Sequence, residues 1–268
     1  MPTFRTHSLN NLAVYLKIVL TAVCLSSPLA RAQYYDDPPE PPVPGAISKS
    51  DIVQFNFTMD GLDTRYTLQE RIEQLGGKVA SRLEQKFIDA GIAYPPNELA
   101  YVVFKDAKVL EVYAKGHNFN EWKFLHAYPV LKTSGDLGPK LKEGDAQVPE
   151  GLYEANAFNP NSKYHVALRL NYPNDFDRMM AKKEGRRSLG GDIMIHGNEV
   201  SIGCLAMGDQ TAEDLFILSA LARASLTKIL ISPTDFRVNP HFSLPKKPQW
   251  VKNLYQEIQS HLTQFKRS

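Results

Sequence analysis

The sequence has little cysteine and no large excess of charge of either sign. Its 268 residues contain two cysteines, and 31 basic side chains nearly balance 29 acidic ones. That balance argues against the strong basic field of a nucleic-acid-binding protein, so no nucleic-acid partner is expected. No internal repeat is visible, and the composition is not that of collagen or a coiled coil. A hydrophobic content of 43% is enough to form one sizeable core.

The apolar run near the start is too short to cross a bilayer. It covers residues 18–25, follows a leader that contains Arg5 and Lys17, and precedes a small-residue site ending at Ala32. This order predicts a cleavable secretory signal over residues 1–32, with no transmembrane anchor after cleavage. A buried helix or a membrane anchor is the alternative.

Cleavage at Ala32 leaves a single cysteine. Cys24 lies in the removed segment, so Cys204 has no partner in an oxidising compartment, where cysteines normally pair. An odd cysteine there indicates a reactive thiol or an intermolecular bond. A buried apolar filler is the alternative interpretation.

The rest of the chain divides into four predicted segments. Residues 33–62 form a proline-rich extended arm, and residues 63–97 form a helical extension. Residues 98–236 form a mainly β (α+β) body, and residues 237–268 form a C-terminal helical extension.

Apolar periodicity and turn residues predict the elements within these segments. One or two amphipathic helices are expected over residues 64–90, broken at Gly76-Gly77. A helix over 211–225 is expected to carry a capping box of Thr211 and Asp214. A loop containing KKEGRR and a terminal helix are predicted at 182–187 and 249–265. Strands are predicted at 98–105, 109–115, 122–131, 152–158, 164–173, 191–197 and 227–233.

A histidine and a cysteine stand close together in IMIHGNEVSIGCLAMGD, residues 193–209. Strand alternation places His196 at a strand end on the more polar face, and a short loop leads to Cys204. An imidazolium would lower the pKa of the thiol, and Gly203 would let nearby N–H groups face a developing oxyanion. This combination suits acyl transfer. One histidine and one cysteine are too few ligands for a metal, so no metal site is expected.

HGNEVSIGC resembles the signature of the L,D-transpeptidases, the YkuD-type catalytic domain. VPEGLYEA at 148–155 is similar to that family's strand-entry segment. The segments SGDLGPKLKEGDAQVPEG, LNYPNDFDR and IHGNEVSIGCLAMGD together resemble a Gram-negative branch that includes an amidase releasing murein-bound lipoprotein. The chain departs from the family pattern at Ile202, where most members have histidine, and lacks the polar residue that commonly follows the cysteine segment.

The resemblance implies a β-sandwich or barrel with flanking helices, and it implies roles for particular residues. Cys204 would be the nucleophile that forms a thioester, and His196 would be the base, oriented by the carbonyl of Gly197. N–H groups of Gly203 and Cys204, with Ile202 and Ser201 beside them, would form the oxyanion hole. Substrate-binding candidates are Tyr172, Asn174, His165 and Lys140; the 182–187 loop could also grip an anionic stem.

The implied activity is periplasmic acyl transfer on peptidoglycan stem peptides, with no organic cofactor. In the family's chemistry the thiolate attacks the carbonyl at the L-centre of diaminopimelate and expels terminal D-alanine. An amine of a second stem, a free D-amino acid or a murein-attached protein then resolves the thioester. Two alternatives stay open: a carboxypeptidase or amidase that uses water, and a wall-binding module with an inactive site.

Overall fold

The computed structural model describes residues 65–116, 120–222, 227–245 and 247–267. The predicted signal at 1–32 and the whole of the predicted proline-rich arm at 33–62 lie outside these residues. The helices are α1 (Leu68–Ala90), α2 (Asp175–Lys183), α3 (Asp209–Leu221) and α4 (Trp250–Leu262). The strands are β1 (Glu98–Phe104), β2 (Val109–Lys115), β3 (Lys123–Pro129), β4 (Gly151–Ser162), β5 (His165–Leu170), β6 (Met194–His196), β7 (Leu205–Ala206) and β8 (Lys228–Ser232).

The eight strands form one mixed sheet in the order β3-β2-β1-β8-β4-β5-β6-β7. Most neighbours are antiparallel, whereas β1 with β8 and β6 with β7 are parallel. The first residues of β4 pair with β8 and its later residues pair with β5. Beyond β3, Lys132 pairs with Ala206 of β7. This bridge joins the two ends of the sheet, so the predicted mainly β body with flanking helices is confirmed in a curled form.

Both faces of the central strand β1 are buried, because helices cover both sides of this part of the sheet. Leu99, Tyr101 and Val103 belong to a core shared with α1 and α3. Ala100 and Val102 belong to a second core shared with α4. Alternation of side chains along the strand distributes successive residues between these two cores. Among the described residues, no helix is both long and apolar enough to span a membrane.

Helix α1 is continuous, so the predicted break at Gly76-Gly77 is wrong. Thr67 caps its start: its side chain accepts a bond from Glu70 N–H, and its own N–H donates to the Glu70 carboxylate. Each glycine costs about 1 kcal/mol relative to alanine in a helix. Burial of the apolar stripe that includes Val79 and Phe87 offsets this cost, since each large apolar side chain contributes roughly 1.5–3 kcal/mol.

Two other predictions about helices need correction. Helix α3 begins at Asp209 after Gly208, with no side-chain cap, so the predicted capping box of Thr211 and Asp214 does not form. The Asp214 carboxylate is buried and instead accepts bonds from Arg82 and Tyr128. The sequence also gives no prediction of α2, whose last turn contains the first residues of the segment 182–187.

A buried ion pair holds the long loop between β3 and β4 against the sheet. Lys105 Nζ lies 3.0 Å from Glu150 Oε1, and the two side chains are 4% and 0% exposed. Lys105 also donates to the carbonyls of Gly138 and Val148. Glu150 accepts bonds from Gly138 N–H and from the Tyr255 hydroxyl of α4. The loop and the C-terminal helix are therefore fastened to the same carboxylate.

A second buried carboxylate attaches the end of the chain to β2. Glu111 is fully buried and accepts a 2.6 Å bond from the Tyr113 hydroxyl. The Arg237 guanidinium lies 2.9 Å from the same carboxylate, and Arg267 contacts its other oxygen. Two cations and a hydroxyl thus compensate the buried charge, as burial of a carboxylate requires.

Candidate active site

Strands β6 and β7 bring the segments of the predicted histidine and cysteine together. The parallel register pairs Ile195 with Leu205 and His196 with Ala206. Cys204 immediately precedes β7, and the register continued by one residue would set it beside Met194. Side chains two residues apart on a strand share a face, so we expect Cys204 on the face of His196.

The His196 ring is fixed in one tautomer when it is neutral. The residue is 2% exposed, and its Nδ1 lies 2.6 Å from the carbonyl oxygen of Gly197. Because a carbonyl oxygen only accepts, Nδ1 must carry the proton, which leaves the lone pair of the neutral ring on Nε2. This is the tautomer that a general base requires. The ring also stacks on Tyr164, with centroids 4.6 Å apart and planes inclined by 24°.

The surroundings favour the neutral forms of both groups. Burial is the main cause of the raised pKa of the Cys204 thiol; a backbone bond from Met194 lowers this pKa, the Asp192 carboxylate raises it, and Lys140 lowers it least. Burial likewise lowers the pKa of His196. The expectation of a thiol whose pKa is lowered by an imidazolium is therefore contradicted. The arrangement instead suits transfer of the thiol proton to His196 during attack.

We expect Cys204 to be alkylated slowly by iodoacetamide at neutral pH. The thiolate is the reactive form, so the rate should increase about tenfold per pH unit and level off only above the ordinary thiol pKa of about 8.5. Rate constants between about pH 6 and about pH 10, with peptide mapping to assign the site, measure this. The denatured protein is the matched control and should show the ordinary profile. A native rate that is already constant at neutral pH would contradict the raised pKa.

Two serine hydroxyls contact the backbone donors that were predicted to form an oxyanion hole. Gly203 N–H donates to Ser134 Oγ at 2.5 Å, and Cys204 N–H donates to Ser201 Oγ at 3.1 Å. Ser201 Oγ in turn donates to the carbonyl of Cys204. The side chain of Ile202 is exposed at 79%. A role of these N–H groups in binding an oxyanion stays a prediction. It requires both serine hydroxyls to move away from the N–H groups.

The other predicted substrate-binding residues already have partners within the protein. Tyr172 is buried and its hydroxyl donates to Leu189 O at 3.2 Å. Asn174 caps α2, and its amide also donates to Leu152 O. Both side chains thus have hydrogen-bond partners within the protein. Their predicted role in substrate binding has no further support.

Two charged candidates occupy different places in the fold. The ammonium of Lys140 lies 2.5 Å from Asp145 and also donates to Lys142 O, within the loop between β3 and β4. It is close enough to the thiol to influence the pKa of Cys204. His165 begins β5 and lies 2.9 Å from Glu213 of α3. It therefore belongs to an ion-pair network.

Several residues near the site were missed by sequence reasoning. Tyr164 stacks on the imidazole and Ser134 contacts the loop of the cysteine. Asp192 provides a carbonyl 3.6 Å from the Cys204 sulfur. Arg169 of β5 pairs with Met194 in the register, so it shares the face of Cys204. Only the position of Tyr164, just before a strand, offered a signal in the sequence; the others depend on long-range contacts.

In the part of the chain that the structure describes, no three His, Cys, Asp or Glu side chains are grouped as a metal site would require.

Comparison with known proteins gives matches in the central part of the chain. Residues 99–224 match the family model of the YkuD L,D-transpeptidase catalytic domain. YafK of Escherichia coli strain K12, whose assignment as an L,D-transpeptidase is provisional, is 37% identical over 116 residues. That alignment covers 42% of this chain and 44% of YafK, so it spans less than half of the relative.

Two solved structures are similar to part of the chain at TM-scores below 0.5. The helical cell shape determining protein Pgp2 from Campylobacter jejuni is 22% identical, with 53% of this chain and 50% of Pgp2 covered and a TM-score of 0.43. L,D-transpeptidase 1 from Mycobacterium tuberculosis is 16% identical, with coverages of 50% and 61% and a TM-score of 0.28.

Proposed function

We propose that this chain, whose residues 99–224 match the YkuD family of L,D-transpeptidase catalytic domains, transfers acyl groups of peptidoglycan stem peptides through a thioester on Cys204. The observation that supports the proposal is the pairing of β6 with β7, which brings the segments of His196 and Cys204 together, with a hydrogen bond that leaves Nε2 of His196 basic. A nucleophile beside a base whose other nitrogen is fixed is the arrangement that covalent catalysis requires.

The proposed reaction begins with both groups neutral. As the Cys204 sulfur adds to the carbonyl carbon at the L-centre of diaminopimelate, His196 Nε2 accepts the thiol proton. The tetrahedral intermediate then collapses, the C–N bond to D-alanine breaks, and the imidazolium returns the proton to the leaving amine. An acceptor amine adds to the thioester, loses a proton to His196, and the thiol is regenerated on collapse.

Two cations near the thiol support an anionic stem peptide as substrate, although each also contacts a carboxylate. The Arg169 guanidinium is 3.9 Å from Asp192, and the Lys140 ammonium is 2.5 Å from Asp145. Lys140 favours negative charge on the sulfur, by less than Asp192 opposes it. A stem peptide carries carboxylates, which arginine binds in a well-defined geometry. Such a substrate lies outside the cytoplasmic membrane, so we propose a periplasmic location for the protein.

Incubation of the purified protein with tetrapeptide muropeptides tests the proposal, with and without an added D-amino acid. Mass spectrometry should detect exchanged or cross-linked termini that require the added or second amine, and intact mass should show an acyl group on Cys204. Tripeptides without any amine product would replace the transferase by a hydrolase that uses the same thioester. Binding to sacculi with no acyl adduct and no product would identify an inactive binding module.

A further inference from the structure

The turn between β4 and β5 lies directly against His196. Strand β4 ends at Ser162 and β5 begins at His165, which pair with each other, so Lys163 and Tyr164 form a two-residue turn. The N–H of Tyr164 donates to Ser162 Oγ at 3.0 Å. A short turn with its own side-chain bond has few alternative conformations. The position of the Tyr164 ring is consequently set by the hairpin.

Three groups are stacked at this turn. The Tyr164 ring lies on the imidazole of His196 at a centroid distance of 4.6 Å. The Lys163 ammonium lies 4.9 Å from the Tyr164 ring centroid, within the range of a cation–π contact. Rotation of the imidazole out of its plane would collide with the phenol ring. The stack and the bond from Nδ1 to Gly197 therefore restrain the same ring from two directions.

The turn is also fastened to the residues beside His196. A side-chain carbon on Gly197 would lie 2.6 Å from Tyr164 O and 2.5 Å from Asp209 Oδ1. Glycine at 197 thus permits the close approach of the hairpin. On the other side, His165 is held by Glu213 of α3. The hairpin tip cannot shift without disturbing these contacts.

We propose that Tyr164 is a positioning residue for His196, whose ring plane it fixes so that Nε2 keeps one direction relative to Cys204. This inference rests on the proposed role of His196 as the base. The charged or titratable groups around the imidazole are Lys163 and Tyr164 in the turn and Asp209 at the start of α3, and the proposed role adds Cys204. Burial is the main cause of the lowered pKa of His196, and Lys163 lowers this pKa further; both effects keep the ring neutral and able to accept a proton.

The test compares Tyr164→Ala with Tyr164→Phe, which keeps the stack and removes only the hydroxyl. Misplacement of a catalytic group by about 1 Å can cost about 10²-fold in rate. We expect Tyr164→Ala to lower kcat for muropeptide turnover by roughly 10- to 100-fold with little change in KM, and Tyr164→Phe to stay near the wild-type value. Equal kcat values for all three proteins would overturn the inference.

A second measurement does not depend on turnover. The ¹⁵N chemical shifts of the His196 ring report its tautomer and its protonation midpoint. Wild type and Tyr164→Phe should show the Nδ1-protonated tautomer. In Tyr164→Ala the unstacked ring can turn away from the Gly197 carbonyl that fixes this tautomer, so a mixture is expected; an unchanged tautomer would reject the positioning role. Lys163→Gln should raise the midpoint. Absence of turnover in the wild type would reject the proposed function, while these shifts would still decide the role of Tyr164.

Discussion

Replacement of Cys204 by alanine is expected to lower muropeptide turnover by at least about 10⁴-fold, because removal of a covalent nucleophile costs rates of this order in enzymes of comparable mechanism. The His196 ring would retain its tautomer through Gly197, but it would have no thiol to deprotonate. The acyl adduct on the protein should disappear together with all amine products. Intact-mass spectrometry and product analysis on the same sample measure both.

Cys204→Ser provides the matched control for this substitution. The hydroxyl keeps the approximate size of the thiol and a donor toward Asp192 O, but it is a far weaker nucleophile in this setting. Both variants should unfold within about 0.5 kcal/mol of wild type, since the half-buried thiol makes only weak hydrogen bonds. Normal turnover in Cys204→Ala would remove this residue from the mechanism and with it the proposed chemistry.

Lys105→Met is expected to lower the free energy of unfolding by about 3–5 kcal/mol. The substitution leaves the Glu150 carboxylate buried without its cation, although Gly138 and Tyr255 still donate to it. The cost arises from that uncompensated charge, and it does not measure the net contribution of the pair. Urea unfolding at equilibrium, with the m-value checked for two-state behaviour, measures the change.

Lys123→Met is the control for the loss of a lysine from the same sheet. Lys123 lies 3.7 Å from Glu121, and their side chains are 43% and 85% exposed. Water screens such a pair, so its loss should change the free energy of unfolding by less than about 1 kcal/mol. The double variant Lys105→Met/Glu150→Gln should recover part of the loss, since neither charge is then left alone. Equal destabilisation by Lys105→Met and Lys123→Met would show that the buried charge is compensated elsewhere.

Local patterns in the sequence predict much of the sheet. The segments flanking Asp106-Ala107-Lys108 form the predicted hairpin of β1 and β2, and the strands at β3, β4, β5, β6 and β8 overlap their predicted ranges. The terminal helix also forms close to its predicted bounds. These elements share strong apolar alternation or a helical period with clear turn residues at their ends.

Elements that depend on long-range contacts could not be predicted in this way. Strand β7 has two residues, too few for any period, and exists because β6 and Lys132 offer it partners. The break predicted at Gly76-Gly77 fails because propensity is outweighed by packing of the helix on the core.

In the candidate site too, local sequence patterns predict some features and long-range contacts determine the others. The motif itself directs attention to His196 and Cys204, and the register of β6 and β7 brings their segments together. The pKa of the thiol is raised, opposite to the predicted direction, because burial depends on the surrounding fold and is the largest cause of the shifts of both groups. Ser134 and Tyr164 come from segments that are distant in sequence from the motif, and only the folded chain brings them to it.

The bridge between Lys132 and Ala206 has a consequence for the reacting groups. It is the seam at which the curled sheet meets itself, and it lies two residues beyond Cys204 and directly across from His196. A sheet that parts at this seam would leave β6 paired with β7, but it would take Ser134 away from the Gly203 N–H. Closure of the curled sheet is thus what brings this hydroxyl to the loop of the cysteine.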